Sequence, residues 1–147
     1  MKAIETLLPQ RYPFLFVDEI ISANRDEIIG RKTYDATFLY FQEYFPGKKI
    51  VPHSILIESI VQCGGAGVND TGLFTKALWG LASIETARFF DFVEPNIPVT
   101  MIVKNLKITD KILKQTGTAS CEGKKIVDTA SCEGKKIVDA TWLCLKL

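Results

Sequence analysis

Apolar residues change their spacing twice along the chain. Behind Pro13, residues 14–23 are rich in Phe, Val and Ile, the composition of a strand. Residues 26–36 predict a second, more polar strand, with Asn24-Arg25 as the tight turn between the two. A short helix over 3–8, stopped by Pro9, precedes them. An aromatic-dense stretch over 38–45 follows and ends on the turn signal Pro46-Gly47. From Pro52 the period becomes helical. Ile55, Leu56, Ser59, Ile60 and Cys63 recur at helical spacing, while Ile57 and Val61 fill the remaining sides. A helix apolar nearly all round belongs inside other structure. Gly64-Gly65 marks its weakening or its end, and Asn69-Asp70 with Gly72 closes the segment. β-rich stretches then run over 78–91, over 99–109 and from 112 onward. Two strands, one buried helix and several long antiparallel strands make an α+β fold, with a sheet wrapped around a central helix.

One segment is duplicated. Residues 118–128, Thr-Ala-Ser-Cys-Glu-Gly-Lys-Lys-Ile-Val-Asp, recur letter for letter as 129–139. A single copy flanked by Thr116-Gly117 and Ala140-Thr141 reads as a hairpin turning at Glu-Gly. Two copies offer two turns, Glu122-Gly123 and Glu133-Gly134. An insertion of odd length exchanges inside for outside along a period-two strand, so both copies cannot keep one register. Either an extra strand forms or one copy loops out. Two short copies cannot stack into a solenoid. Residues 1–147 are therefore expected to form a single domain with this duplication in its C-terminal hairpin, and no chemistry is assigned to the repeat.

Composition narrows the function classes. The 147 residues are 47% apolar and 24% charged, ordinary for one soluble domain that can bury a core. Eighteen basic against seventeen acidic side chains leave +1, which gives no electrostatic case for nucleic acid or an anionic membrane. The start Met1-Lys2-Ala3-Ile4-Glu5 lacks the apolar core of a secretion signal, and no stretch approaches a membrane span. The expectation is a cytoplasmic protein. Of the four cysteines, Cys121 and Cys132 are copies of one position, and Cys63 and Cys144 stand alone. With no C-x-x-C pair and one histidine, neither a metal site nor a disulfide framework is expected, but buried, reduced thiols. No cofactor is called for.

Three segments carry a resemblance. Phe41-Gln-Glu-Tyr-Phe-Pro-Gly-Lys-Lys-Ile-Val-Pro-His-Ser-Ile-Leu-Ile-Glu-Ser-Ile-Val-Gln62 resembles, without gaps, the signature of (3R)-hydroxyacyl-ACP dehydratases. Leu7-Leu-Pro-Gln-Arg-Tyr-Pro-Phe-Leu-Phe-Val-Asp18 resembles that family's N-terminal L-L-P-H-R-Y-P-F-L-L-V-D. Ala87-Arg-Phe-Phe-Asp-Phe-Val-Glu-Pro95 is similar to its strand with a basic-aromatic pair. The resemblance implies a hotdog fold that dimerises through a continuous sheet. It implies action on β-hydroxyacyl thioesters of acyl carrier protein, with loss of water to a trans-2-enoyl product in fatty-acid or related lipid synthesis. In the family a histidine takes the proton at C2, a glutamate on the central helix assists the departing hydroxyl, and amides at the helix N-terminus polarise the thioester carbonyl. Glu58 matches the glutamate. The apolar helix around it withholds water from a carboxyl group, which favours the protonated acid. A helix N-terminus in turn offers free N–H donors to a developing enolate oxygen. Phe45, Pro46, Gly47, Pro52, Ser54 and Gln62 fall on positions that the resemblance assigns to substrate binding. The plainer reading of Glu58 is a solvent-facing or arginine-paired glutamate. Gln62 has a plain alternative too, as a half-buried polar residue of the helix.

The departures bear on the chemistry. Tyr44 stands on the histidine position, and a tyrosine, with an ordinary pKa of about 10, is a weak base at neutral pH. His53, the one histidine, stands on a glycine position at the mouth of the helix. It either replaces the lost base, facing Glu58 across a dimer, or caps the helix and fills the space a glycine leaves open. Three functions stay open: a dehydratase using Glu58, His53 and Tyr44; a silent acyl-ACP-binding subunit paired with an active paralogue; and an acyl thioesterase. The expected partners are acyl carrier protein and a second copy or a paralogue.

Overall fold

The computed structural model describes residues 2–38, 40, 41, 46–73, 76–121 and 134–147. Its elements are α1 (Ile4–Leu7), β1 (Glu19–Ala23), β2 (Glu27–Thr33), α2 (His53–Thr71), β3 (Trp79–Phe89), β4 (Pro98–Ile108), β5 (Ile112–Cys121) and β6 (Lys135–Lys146). The strands form one antiparallel sheet in the order β1-β2-β4-β5-β6-β3. α2 lies on one face of this sheet and touches all six strands. The α+β arrangement of a sheet around a buried helix is as expected from the sequence.

The inward residues follow the period of two. Along β5, Leu113, Gln115, Gly117, Ala119 and Cys121 are buried and their neighbours are not. β4 contributes Val99, Met101 and Val103, and β6 contributes Val138, Ala140, Trp142 and Cys144. Each fully buried large side chain adds roughly 1.5–3 kcal/mol of apolar transfer. β3 breaks the pattern. As an edge strand it has no fully buried residue, only Trp79 and Gly80 half-buried, and it holds Leu81, Ile84 and Phe89 exposed.

Three expectations shift. The first strand starts at Glu19 rather than at residue 14, because Phe14 and Phe16 give their backbone groups to a side chain of α2. The second ends at Thr33 rather than 36, where Asp35 begins a side-chain turn by accepting from the Thr37 amide. The helix runs straight through Gly64-Gly65 to Thr71 and ends at Gly72, whose φ of 66° suits a left-handed cap. Gly64 and Gly67 serve close packing instead. A Cβ on Gly64 would lie 2.1 Å from Gln115 Oε1, and one on Gly67 would lie 2.3 Å from Ile28 Cγ2.

The duplicated hairpin pairs the start of one copy with the end of the other. Thr118 faces Asp139, Ala119 faces Val138 and Cys121 faces Lys135, with a register shift between Ala119 and Ser120. Each strand draws on one copy only, so the inside-outside pattern of β5 and β6 survives. Residues 122–133, with both of their candidate turns except Gly134, lie outside the described residues.

Replacing Gly67 with Ala should overpack the Ile28 contact and cost about 1–3 kcal/mol. At Gly65 the nearest atom to an added Cβ is Trp79 Cδ1 at 3.7 Å, so Gly65→Ala should gain up to about 1 kcal/mol of helix propensity. Urea unfolding of both variants measures the contrast.

Candidate functional site

α2 enters the core without a side-chain cap, since Pro52 precedes it and offers none. The amides of Ile55 and Leu56 both bond to Pro52 O, at 3.0 and 3.2 Å. Among the described residues the amides of His53 and Ser54 have no acceptor, so the positive end of the helix dipole keeps two free donors.

Glu58 stands one and a half turns further in and is half-buried, less enclosed than its apolar neighbours suggest. It shares a helix face with Val61, Gln62, Gly65 and Asn69, and these line a cavity of about 260 Å³. Trp79, Leu81 and Leu147 form one wall and Leu8, Pro9 and Gln10 another. At the far end Asn69 is tied off, donating to Leu7 O (2.9 Å) and Ala77 O (3.0 Å) and accepting from Ala77 N (3.1 Å).

Gln62 orients the carboxyl group. Its Oε1 accepts the Phe16 amide at 2.8 Å, and its Nε2 donates to Phe14 O at 3.0 Å and to Glu58 Oε1 at 3.1 Å. The backbone decides which way this amide faces, because a flip would set N–H against N–H at Phe16 and oxygen against oxygen at Phe14. A donor therefore always points at Glu58. With Oε1 occupied as an acceptor, Oε2 is the oxygen left to carry or release a proton.

Other buried polar groups of the core do not line this cavity. Tyr34 and Ser59 share a buried hydroxyl–hydroxyl hydrogen bond, and burial holds the Tyr34 phenol well above its ordinary range. Burial pushes the Cys144 thiol up to about 12, with the Glu58 carboxylate adding in the same direction. Cys63 is pushed up to about 12 by burial alone. These are protonated thiols, as the sequence suggested, and not nucleophiles.

The remaining sequence candidates are spread out. Pro46 and Gly47 form an exposed turn, with Gly47 at φ 80°. Pro52 is buried and Ser54 exposed at the helix mouth. Tyr44 and Phe45 lie outside the described residues. His53 is half-buried at the first position of α2, its ring stacked 4.2 Å from Phe89 and 4.6 Å from Phe92. Within one chain Glu58 is five residues on, about 140° round the helix, so the two side chains do not share a face. The sequence reading missed Asn69 and Trp79. Asn69 continues the Glu58-Gln62-Gly65 spacing, but in the sequence it stands out only as part of the signal that closes the segment.

A sheet closed over one long helix, with a carboxyl group on that helix, is the hotdog fold. Solved structures agree. The dehydratase heterocomplex ApeI:P from Xenorhabdus doucetiae superposes with a TM-score of 0.79 at 13% identity, over 100% of this chain and 92% of that one. A hypothetical thioesterase with coenzyme A from Streptococcus pneumoniae gives 0.62 at 10% identity, over 88% and 84%. At such identities the likeness is one of fold. Sequence goes further. Residues 8–130 match the FabA-like domain, and the chain belongs to that family. It is 33% identical over 117 residues to the 3-hydroxyacyl-[acyl-carrier-protein] dehydratase FabZ of Pelotomaculum thermopropionicum, covering 79% of this chain and 84% of the relative. The FabZ of Enterococcus faecalis is 29% identical over 128 residues, covering 85% and 89%.

Replacing Gln62 with Leu removes the partners of Phe14 O and Phe16 N in a buried place. At about 1–3 kcal/mol for each of the two stranded groups, the loss should reach about 2–6 kcal/mol in urea unfolding. Iodoacetamide near pH 8 should leave Cys63 and Cys144 unmodified in the folded protein and label both after unfolding, as peptide mass mapping would show.

Proposed function

We propose that the protein is a 3-hydroxyacyl-ACP dehydratase of fatty-acid or related lipid synthesis, with Glu58 as the acid. The observation that carries this reading is the Glu58 carboxyl group, held through one oxygen by Gln62 and lining a cavity along an uncapped helix. The substrate thioester lies with its carbonyl against the free amides of His53 and Ser54, which stabilise the negative charge that grows there. The C2–H bond breaks, its electron pair forms the C2=C3 double bond, and the C3–O bond breaks toward Glu58. Oε2 supplies the proton with which the hydroxyl leaves as water. The product is the trans-2-enoyl thioester.

The C2 proton falls to the position occupied by Tyr44. A tyrosine with its ordinary pKa of about 10 is only about one part in a thousand phenolate at pH 7. The proposed enzyme is accordingly slow at neutral pH. The carrier protein is the macromolecular partner and the cytoplasm the place of action. The open edge of β3, which carries exposed Leu81, Ile84 and Phe89, receives the second subunit, a further copy or a paralogue. No helix among the described residues is long and apolar enough to cross a membrane.

Dehydration of 3-hydroxyacyl-ACP by the purified protein, followed as enoyl product, tests the reading. Glu58→Gln should lower kcat/KM by about 10²–10⁴-fold, and Tyr44→Phe should lower it by a similar factor. Full activity in Glu58→Gln would remove the acid from the scheme.

A further inference from the structure

The imidazole of His53 is held on three sides. The Phe89 ring lies 4.2 Å from it at an interplanar angle of 7°, and the Phe92 ring 4.6 Å from it at 8°. Two phenyl rings so near and so parallel would overlap each other on a single face, so they cover opposite faces of the imidazole. In the ring plane, Nε2 is 3.0 Å from the carbonyl oxygen of Asp91. A carbonyl oxygen only accepts, so Nε2 carries the hydrogen and the lone pair of the neutral ring lies on Nδ1. The outer nitrogen of the side chain is therefore a donor that cannot take a proton from a substrate.

The segment gripped by this ring is anchored on its other sides as well. Phe90 N donates to Ile137 O at 2.7 Å, Val51 N donates to Val93 O at 2.9 Å, and Asp91 pairs with Lys135 on β6. These contacts fix the exit of β3 to the sheet and to the chain ahead of α2. Side-chain contact with the first turn of the helix itself comes from His53.

We propose that His53 is a positioning residue: its imidazole, stacked between Phe89 and Phe92 and bonded to Asp91 O, locks the β3 exit across the mouth of α2. The lock sets the direction of the free His53 and Ser54 amides toward a thioester carbonyl, and the C2 proton goes elsewhere. The catalytic half of this inference rests on the dehydratase reading; the lock does not. Glycine, which the family motif has here, makes no such contact, so the lock belongs to this chain. It also ties the oxyanion-binding amides to the edge strand proposed to receive the second subunit.

Three full-length variants and one spectroscopic signature test it. His53→Phe keeps the stack, His53→Gln keeps a donor for Asp91 O, and His53→Ala keeps neither. Dehydration by His53→Phe should stay within about threefold of the parent with the same pH profile. His53→Ala should fall tenfold or more and melt earlier, and His53→Gln should lie between. A loss of about 10²–10⁴-fold shared by all three, with disappearance of the acidic limb of the profile, would make His53 the base and overturn the proposal. Nitrogen-15 spectra of the parent should show the Nε2–H tautomer and upfield-shifted ring protons. A freely averaging imidazole would overturn it equally. A parent that dehydrates nothing would bring down the dehydratase reading, while the ring signals and melting points would still decide the lock.

Discussion

A helix that is apolar on nearly every side has to be enclosed, and enclosing α2 governs the rest of this molecule. Fourteen of its residues, from Ile55 to Asn69, are buried. A flat sheet covers only one stripe of such a helix, so the six strands meet it along their whole width and the remaining sides are closed by non-strand segments. Close approach leaves no room for side chains at Gly64 and Gly67, where Gln115 and Ile28 take the space. It also means that each polar group on the helix has to find a partner within the protein.

Those partners are arranged systematically. Ser59 meets Tyr34 just beyond β2, Gln62 meets Phe14 and Phe16 ahead of β1, and Asn69 meets Leu7 and Ala77 on either side of the helix end. Each buried polar side chain thus fastens one segment that the sheet does not hold, acting as a short piece of ladder would. Glu58 is the exception. Its bond from Gln62 is to another side chain of the same helix, and the rest of the carboxyl group faces a cavity. A polar group in a packed fold that fastens nothing is free for chemistry, which is why its placement says more than the cavity itself.

Much of this was legible in the chain. The period-two runs and the all-round apolar helix sufficed for an α+β sheet around a central helix, and Glu58 stood out as a carboxylate among Ile55, Leu56, Ile57 and Ile60. Local pattern failed where a distant partner supplied the reason. The pair Gly64-Gly65 looks like a helix end until Gln115, far along the chain, is seen to occupy the space. Residues 14–17 look like strand because their side chains are apolar, yet Phe14 O and Phe16 N bond to the Gln62 amide of α2. The duplicated copies could not be placed, since register depends on which halves meet, and the answer was the head of one with the tail of the other.

His53 shows the same limit at the level of chemistry. As the chain's one imidazole, beside a motif whose histidine is missing, it invites the role of base. Its surroundings come from the exit of β3, which no local reading connects to the helix mouth. Stacking on both faces and donation from Nε2 hold the ring in one orientation and direct its lone pair to Nδ1. The same contacts make it a good fastener, because they fix both the plane of the ring and its rotation. An active site in this fold needs its amides held still as much as it needs a base. In a chain whose helix begins with an uncapped Pro52, the residue in that place is well suited to the first task.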